Sequence, residues 1–254
     1  MKMNTFDPPF FREDAYKVYS YHTDSNRRLN LIAMLHFLQE TAGNHAAANG
    51  FGYDSLSASK LFWALSRLTL KVADYPEWNE NLLLRTWSKA PGAFTGNRDF
   101  ELLNAQGRVV AVASTAWLMV DIASRRLQRI ERFGSNFPHV LNRHAIPEPP
   151  EKLPTVTASV ATAAREIMPG DMDMNGHVNN ACYVRWVLDS LPQLRQDGKE
   201  IKTLEVNFLH ESHAGEHYAV GVQQAAENIL LCSITRCEDG RELARVRAEL
   251  GMTN

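Results

Sequence analysis

A short polar loop near the middle of the C-terminal half combines acid–base and hydrogen-bonding side chains. Asp173, Asn175, His177, Asn179 and Asn180 supply a carboxylate, an imidazole and three amides. An imidazole exchanges protons near neutral pH, and a carboxylate can orient it. Either Asn179 or Asn180 could instead serve only to cap a helix, but capping explains neither Asp173 nor His177. The loop is therefore a candidate site for proton transfer.

The loop leads directly into a predicted helix. Apolar side chains recur at helical spacing from Asn180 to Leu191, and Pro192 ends the pattern. A helix N-terminus presents backbone N–H groups and the positive end of the helix dipole. We therefore expect a place that favours a developing anion, as an oxyanion-binding site requires.

Composition limits the function classes. The 254 residues are 44% hydrophobic and 22% charged, which favours a globular protein of two domains. The net charge of −2 and the lack of zinc-finger, Walker or dinucleotide-binding motifs argue against nucleic acid as a partner. No apolar run approaches the roughly 18 residues of a membrane span, and the N-terminus lacks the apolar core of a signal peptide. We expect a cytoplasmic protein.

Three cysteines are present, so they cannot all pair with one another. Cys232 and Cys237 also lack the Cys-x-x-Cys spacing of metal and redox sites. We expect reduced, structural thiols, and we expect Cys182 to pack as a small apolar group in the helix rather than act as a nucleophile.

The first half of the chain predicts one helix and an antiparallel sheet. A strand is predicted at residues 16–21, and a largely buried helix runs from Asn30 to the Asn49–Gly50 pair. Branched and aromatic residues then predict four strands in direct succession, at residues 61–72, 82–89, 98–103 and 109–120. Short connections between successive strands favour an α+β fold over alternating βαβ units.

The same order of elements recurs after a proline-rich segment. Residues 135–155 contain five prolines and predict a linker between an N-terminal domain at 1–134 and a C-terminal domain at 156–254. The second domain predicts a strand near 156–167, the polar loop, the helix, and four strands at 202–209, 217–224, 229–237 and 242–250. The chain therefore looks internally duplicated.

Only the second copy carries an acid–base residue at the start of its helix. Arg28, Leu29 and Asn30 stand in the first half where the second has the segment Gly-His-Val-Asn. We therefore expect the C-terminal half to perform chemistry and the N-terminal half to hold an apolar ligand. Candidate contacts for such a ligand are Met34, Leu38, Val178 and Asn179.

Several motifs, in order, resemble those of the double hot-dog acyl-ACP thioesterases of plants and bacteria, where ACP is acyl carrier protein. They are DMDMNGHVNNACYVRW at 171–186, LHFLQETAGNHAAANGFG at 35–52, ADYPEWNENLLLRTW at 73–87 and WLMVDIASRRLQRI at 117–130. The resemblance covers residues 12–250. It implies two tandem hot-dog domains, each a helix wrapped by an antiparallel sheet. It also implies release of fatty acids from ACP by thioester hydrolysis, in fatty acid biosynthesis, with the catalytic site in the second domain.

Matched residue by residue, the family's Asp-x-Asn-x-His motif falls on Asp173, Asn175 and His177, and its catalytic glutamate falls on Glu211. A shift in the match would choose Glu205 instead, but it leaves the residue after the glutamate unmatched. Thioester hydrolysis needs a base for water and donors for the oxyanion, and these residue types supply both.

Residue 212 departs from one version of the family pattern. Older mechanisms for the family place a nucleophilic cysteine after the glutamate, whereas this chain has Ser212. No Gly-x-Ser-x-Gly motif surrounds that serine. We therefore expect direct attack by water, activated by Glu211 with His177 and positioned by Asn175, while Asp173 orients the loop. Which of Glu211 and His177 is the direct base stays open.

The resemblance implies neither metal nor cofactor, although His210, His213 and His217 lie near Glu211 in the sequence. The implied partner is ACP with its phosphopantetheine-linked acyl chain. A basic run of arginines could dock this acidic protein or be an ordinary solvated segment; it comprises Arg125, Arg126, Arg129 and Arg132. Alternative functions are an acyl-CoA thioesterase, a hot-dog dehydratase and a non-catalytic acyl-binding module. A monomer that is an internal pseudo-dimer, or a homodimer, fits the duplication.

Overall fold

The computed structural model describes residues 10–133, 137–157, 159–191 and 198–253. The chain divides into two units. Unit 1 comprises Met1–Ser66 with Val72–Pro150, and unit 2 comprises Arg67–Lys71 with Glu151–Asn254. The predicted bounds of 1–134, 135–155 and 156–254 differ slightly from this division and stay a prediction. Within the described residues, no helix is long and apolar enough to pass through a membrane.

Unit 1 is built from one long helix, one short helix and an antiparallel sheet. Its elements are β1 (Phe11–Lys17), α1 (Leu31–Ala48), α2 (Tyr53–Ala58), β2 (Leu61–Val72), β3 (Asn81–Ser88), β4 (Thr95–Leu103) and β5 (Val109–Asp121). Strands β1, β3, β4 and β5 pair antiparallel in that order, and β2 follows β5. The predicted strand at 16–21 is wrong in its bounds, because β1 begins earlier and residues 20–22 form a 3-10 turn.

Helix α1 has a broad apolar face, and the residues of that face are buried. Asn30 caps it, with the side-chain oxygen accepting from the N–H of Ala33 at 2.8 Å. The ring of Tyr16 on β1 stacks on Phe37 at 4.2 Å between centroids, and its hydroxyl lies 2.8 Å from that of Thr41. These contacts hold α1 against the sheet of unit 1, as the broad apolar face of its sequence predicts.

Unit 2 repeats the plan with a shorter helix. Its elements are β6 (Val160–Ala161), β7 (Arg165–Glu166), α3 (Asn180–Asp189), β8 (Lys199–Phe208), β9 (His217–Ala226), β10 (Ile229–Arg236) and β11 (Glu242–Met252). The order within the unit is Arg67–Lys71 of β2, then β8, β11, β10 and β9, all antiparallel, with β6 and β7 on β9. Fold class α+β is therefore confirmed in both units.

The predicted strand at 156–167 is wrong as a single element. Among the described residues of this range, which exclude residue 158, the strands are the two-residue β6 and β7, and both pair with β9. Their residues are exposed, with Val160 81% exposed, so little burial stabilises a longer strand. Helix α2 was not predicted, because its short sequence YDSLSA buries only Leu56.

The described part of the proline-rich segment, residues 137–155, forms no helix or strand. It is nevertheless anchored at defined points. Within unit 1, the N–H of Val140 donates to the carbonyl of Ser88 at 2.9 Å, and Lys89 Nζ donates to the carbonyl of Ile146 at 3.0 Å. Both Val140 and Ile146 are buried. This part of the segment therefore belongs to the packed structure of unit 1 as far as Pro150.

Candidate active site

Asp173 holds the loop that presents His177. Its Oδ1 accepts from the backbone N–H groups of Asn175, at 2.8 Å, and His177, at 3.3 Å. Its own N–H donates to the carbonyl of His177 at 2.7 Å. Gly176 closes the turn at a φ of 74°, a left-handed conformation that glycine adopts without strain. The carboxylate thus fixes the backbone on which the imidazole stands.

Several N–H groups at and just before the start of α3 have acceptors within the protein. Asn179 caps the helix, since its side-chain oxygen accepts from Ala181 N at 2.9 Å. The N–H of Asn179 donates to the carbonyl of Asp171 at 2.8 Å, and that of Val178 donates to the carbonyl of Ser212 at 3.1 Å. The N–H groups of Val178, Asn179 and Ala181 therefore have acceptors within the protein, and the expectation of a place that favours a developing anion stays a prediction. The positive end of the α3 dipole is still present beside His177.

Glu211 lies three residues after β8, and the fold brings it beside His177. Its Oε2 is 3.6 Å from His177 Nε2, and the two side chains are 41% and 25% exposed. This distance is too long for a direct hydrogen bond but suits an ion pair or a bridging water. The ring of His213 lies 5.4 Å from that of His177. An acid–base pair that solvent can reach therefore stands at the start of α3.

Asn175 and Glu205, the other polar candidates, have different surroundings. The side-chain amide of Asn175 is exposed and donates one hydrogen bond to Asp173 Oδ2 at 3.2 Å. Glu205 lies within β8 and pairs with Arg247 on β11, with 2.7 Å between Oε2 and Nη1. Glu205 thus links two strands of the sheet, whereas Asn175 lies in the same loop as His177.

Ser212 and Tyr183 form a buried hydroxyl pair behind Glu211. Their oxygens are 2.7 Å apart, and Ser212 is completely buried. The Tyr183 ring makes edge contacts with Trp186, at 5.1 Å, and with Phe208, at 5.9 Å. Burial raises the pKa of Tyr183 to about 12, so the phenol is neutral at physiological pH. Sequence reasoning counted Tyr183 only as an apolar helix residue and missed this pair.

Cys182 also faces inward. It is 7% exposed, and its thiol donates to the carbonyl of Asp171 at 3.5 Å. Burial raises the pKa of the Cys182 thiol to about 11. The neighbouring Asp171 carboxylate, which was not predicted, pairs with Arg185 on α3 and accepts from Met168 N at 3.0 Å. These contacts support the expectation that Cys182 is a packing residue.

The predicted substrate contacts fall in both units. Met34 and Leu38 lie on the buried face of α1 in unit 1, with 1% and 5% exposure. Val178 is buried and Asn179 is half-buried at the start of α3 in unit 2.

The histidines near Glu211 do not converge on one point. His210 Nδ1 contacts the carbonyl of Glu242 at 2.8 Å, and His217 Nδ1 contacts Glu238 at 3.0 Å. Within the described ranges, no three His, Cys, Asp or Glu side chains are grouped so that they could hold a metal ion.

Unit 1 repeats the Asp173–His177 loop at residues 24–28, with an arginine in place of the histidine. Asp24 Oδ1 accepts from the N–H groups of Asn26, at 2.8 Å, and Arg28, at 3.0 Å, while Asp24 N donates to the carbonyl of Arg28 at 2.8 Å. Arg27 has a φ of 63° at the position of Gly176. These three hydrogen bonds match those around Asp173, and Arg28 occupies the position of His177.

The second loop is repeated as well. The N–H of Leu29 donates to the carbonyl of Pro76 at 2.7 Å, as that of Val178 does to Ser212. Tyr75 therefore occupies the position of Glu211, and the guanidinium carbon of Arg28 lies 5.5 Å from its ring. Unit 1 thus presents an arginine and a tyrosine where unit 2 presents an acid–base pair.

An antiparallel sheet with a helix in each unit, and the acid–base pair His177–Glu211 in the second, define a tandem hot-dog protein with a candidate active site in unit 2. Residues 10–132 match the family model described as acyl-ACP thioesterase N-terminal domain, and residues 164–250 match the model of the C-terminal domain. Together the two matches cover most of the chain in the expected order. The chain belongs to the acyl-ACP thioesterase family.

Curated relatives include plant enzymes. The chain is 28% identical over 225 residues to oleoyl-acyl carrier protein thioesterase 2, chloroplastic, of Arabidopsis thaliana, which covers 80% of this chain and 60% of that one. It is 26% identical over 259 residues to the chloroplastic palmitoyl-acyl carrier protein thioesterase of Cuphea hookeriana, covering 94% and 61%. The chain thus spans about 60% of the length of these relatives.

Solved structures agree on the fold. An acyl-ACP thioesterase from Bacteroides thetaiotaomicron has a TM-score of 0.87 at 25% identity, covering 95% of this chain and 98% of the other. The 12:0-ACP thioesterase of Umbellularia californica has a TM-score of 0.83 at 23% identity, covering 95% and 97%. The predicted tandem hot-dog fold is therefore confirmed.

Proposed function

We propose that this chain hydrolyses the thioester of fatty acyl-ACP and releases a free fatty acid and holo-ACP, as a step of fatty acid biosynthesis. The observation that carries the proposal is the His177–Glu211 pair at 3.6 Å, in a chain of the acyl-ACP thioesterase family. The pair is the kind of group that activates water, and both side chains are accessible to it.

The reaction begins with a water molecule between the imidazole and the carboxylate. Glu211 and His177 together take one proton from the water as its oxygen attacks the thioester carbonyl carbon. The C–O bond forms, the carbonyl oxygen becomes an oxyanion, and the C–S bond then breaks. The pair returns the proton to the departing sulfur, which leaves as the thiol of the phosphopantetheine arm. Either member of the pair can be the direct base.

Asp173 and Asn175 support this chemistry in different ways. Asp173 orients the loop, because its carboxylate binds the backbone on both sides of Gly176. The side-chain amide of Asn175 spends one N–H on Asp173, and a side-chain amide carries a second N–H and a carbonyl oxygen. We assign these groups to the attacking water and the oxyanion. The α3 dipole adds a favourable field for the developing negative charge.

The acyl tail needs an apolar surface, and we assign it to the buried face of α1. Met34 and Leu38 lie on that face, and unit 1 has Arg28 and Tyr75 where the chemistry would otherwise stand. Val178 and Asn179, beside His177, are the proposed contacts for the thioester end.

The carrier protein is acidic, so a basic surface would favour its approach. Arg125, Arg126 and Arg129 are exposed in unit 1, and Arg129 Nη1 is 3.9 Å from Glu131. The guanidinium of Arg125 lies over the Phe62 ring at 5.5 Å. We propose these three arginines as a docking surface for ACP; the side chain of Arg132 lies outside the described part of the chain.

The test compares one acyl group on two carriers. Purified protein is given the same acyl chain on ACP and on coenzyme A, and products are separated by mass spectrometry. We expect free fatty acid with a higher kcat/KM for the ACP substrate. Faster hydrolysis of acyl-CoA would indicate that coenzyme A, not ACP, is the preferred carrier. An enoyl product would indicate a dehydratase. Bound substrate without turnover would indicate a binding module.

A further inference from the structure

Ser212 connects the two loops of the candidate active site. Its carbonyl accepts from the N–H of Val178, the residue after His177, and its own amide group follows Glu211 directly. Its hydroxyl lies 2.7 Å from the hydroxyl of Tyr183 on α3. One buried residue is thus bonded to the imidazole loop through its backbone and to the helix through its side chain.

The matching loops of unit 1 have the backbone hydrogen bond but not the side-chain contact. There Pro76 accepts from Leu29 N at 2.7 Å, so the backbone bond between the loops is kept. Pro76 has no hydroxyl, and the corresponding position on α1, the fourth residue of each helix, is Met34 where α3 has Tyr183. The loops therefore form without a hydroxyl pair, and the pair occurs in the unit that also has the imidazole and the carboxylate.

We propose that the Tyr183–Ser212 hydroxyl pair is a positioning device that holds the Glu211 carboxylate in register with His177. This inference rests on the proposed function. The Glu211 side chain is 41% exposed, whereas Ser212 next to it is fully buried. Fixing Ser212 from two directions restricts the backbone from which the carboxylate extends.

The pair acts by position and not by chemistry of its own. Ser212 is completely buried, so a thioester cannot reach its hydroxyl without a rearrangement. The Tyr183 ring is held between Trp186 and Phe208, and the raised pKa of its phenol keeps the group neutral. A rigid neutral hydroxyl suits an anchor better than a base or a nucleophile.

The experiment measures kcat and KM for acyl-ACP in Tyr183→Phe, Ser212→Ala and the double variant. Misplacement of a catalytic group by about 1 Å can cost about 10²-fold in rate. We expect kcat to fall about 10- to 100-fold in each single variant, with KM within about twofold of the parent. Because the two hydroxyls act as one unit, the double variant should be no slower than the slower single variant.

Unit 1 provides a matched control. Tyr16 and Thr41 form a hydroxyl pair at 2.8 Å between β1 and α1, so Tyr16→Phe removes a similar bond elsewhere. We expect Tyr16→Phe to keep the parent kcat at a comparable loss of thermal stability. Ser212→Thr, which retains a hydroxyl, should restore part of the kcat lost in Ser212→Ala.

Three results would overturn the assignment. They are parent-like kcat in folded Tyr183→Phe, multiplied losses in the double variant, and an acyl group trapped on Ser212. Tyr183→Phe keeps the ring, so it remains informative if Ser212→Ala does not fold. If the parent itself does not hydrolyse acyl-ACP, the proposed function fails, whereas an active parent with an equally active Tyr183→Phe removes only the positioning role.

Discussion

At the scale of residues, the candidate site brings a histidine on a hydrogen-bonded loop next to a glutamate on a second loop. The backbone around His177 is fixed by three hydrogen bonds to Asp173. Glu211 extends from the loop between β8 and β9, and its Oε2 lies 3.6 Å from His177 Nε2. Hydrogen bonds of catalytic groups are often long before substrate binds, so this distance fits a pair that tightens around water and substrate.

Glu211→Gln tests the carboxylate while nearly keeping its shape. We expect kcat for acyl-ACP to fall about 10²- to 10⁴-fold, because an amide cannot take a proton from water. His177→Ala should fall within the same range. The matched control is Glu205→Gln, which breaks the pair with Arg247 on the sheet and should leave kcat within about threefold. Loss of activity in Glu205→Gln alone would move the base to that residue.

The thiols give a second test at this scale. With a pKa of about 11, only about one Cys182 thiol in 10³ is ionised at pH 8, and thiolate is the reactive form. We expect iodoacetamide to label the exposed Cys237 first, as followed by peptide mass spectrometry, with full activity retained. Cys182→Ser should also retain most activity. An acyl group found on any cysteine would contradict attack by water.

The sequence predicted which residues form the candidate site better than it predicted the contacts that hold those residues in place. Asp173, Asn175 and His177 share one loop, so their proximity follows from spacing alone. The approach of Glu211 required the resemblance, because it depends on how β8 and its turn meet α3. The bond between Tyr183 and Ser212 could have been suspected only by aligning both halves, where a methionine and a proline stand at the same positions.

At the scale of elements, helices were easier to predict than edge strands. Apolar spacing gave α1 and α3 to within about two residues. In contrast, β1 alternates half-buried and exposed residues after the buried Phe11, and its charged side chains lie on both faces, which hides any apolar pattern. The strands β6 and β7 depend on pairing with β9, which is a non-local contact that local sequence does not contain.

The α1 face makes a prediction about specificity. Met34→Trp or Leu38→Trp should shorten the preferred acyl chain without abolishing hydrolysis, because each methylene excluded from an apolar site loses about 0.8 kcal/mol. Two methylenes correspond to roughly a tenfold change in preference. Gln39→Trp places the same side chain on the exposed face of the helix and is the control.

The measurement is the chain-length profile of fatty acids released from a mixture of acyl-ACP substrates. Overpacking can cost about 1–3 kcal/mol of stability, so each variant is first checked for a parent-like unfolding transition. An unchanged profile in two stable variants would place the acyl tail elsewhere, such as along α3.

At the scale of the whole molecule, the two units are not separable by cutting the chain once. Unit 2 includes Arg67–Lys71, which pair with β8, although these residues precede most of unit 1 in sequence. The proline-rich segment nevertheless suggested two consecutive domains, because composition records where the chain is irregular and not which strand supplies an edge.

A fragment of residues 151–254 should therefore be deficient. It lacks Arg67–Lys71, one of the two strand partners of β8, and would expose an unpaired strand edge with buried-type side chains such as Leu204 and Val206. We expect it to associate at micromolar concentration and to lack a cooperative thermal transition, as measured by size-exclusion chromatography and calorimetry. A synthetic peptide of residues 61–72 should reduce the association. A monomeric fragment with a sharp transition would contradict this expectation.

Because the loop around Asp173 in unit 2 is repeated around Asp24 in unit 1, the effects of substitutions at matching positions can be compared within one protein. Asp24 and Asp173 do the same structural work, so a scan of all substitutions scored on abundance should penalise both alike. Scored on hydrolysis, the same scan should penalise substitutions of His177 more than substitutions of Arg28. The two loops share the same backbone hydrogen bonds, but only His177 has a proposed catalytic role. The proposed function therefore predicts that substitutions in the Asp24 loop affect folding alone, whereas substitutions in the Asp173 loop affect both folding and turnover.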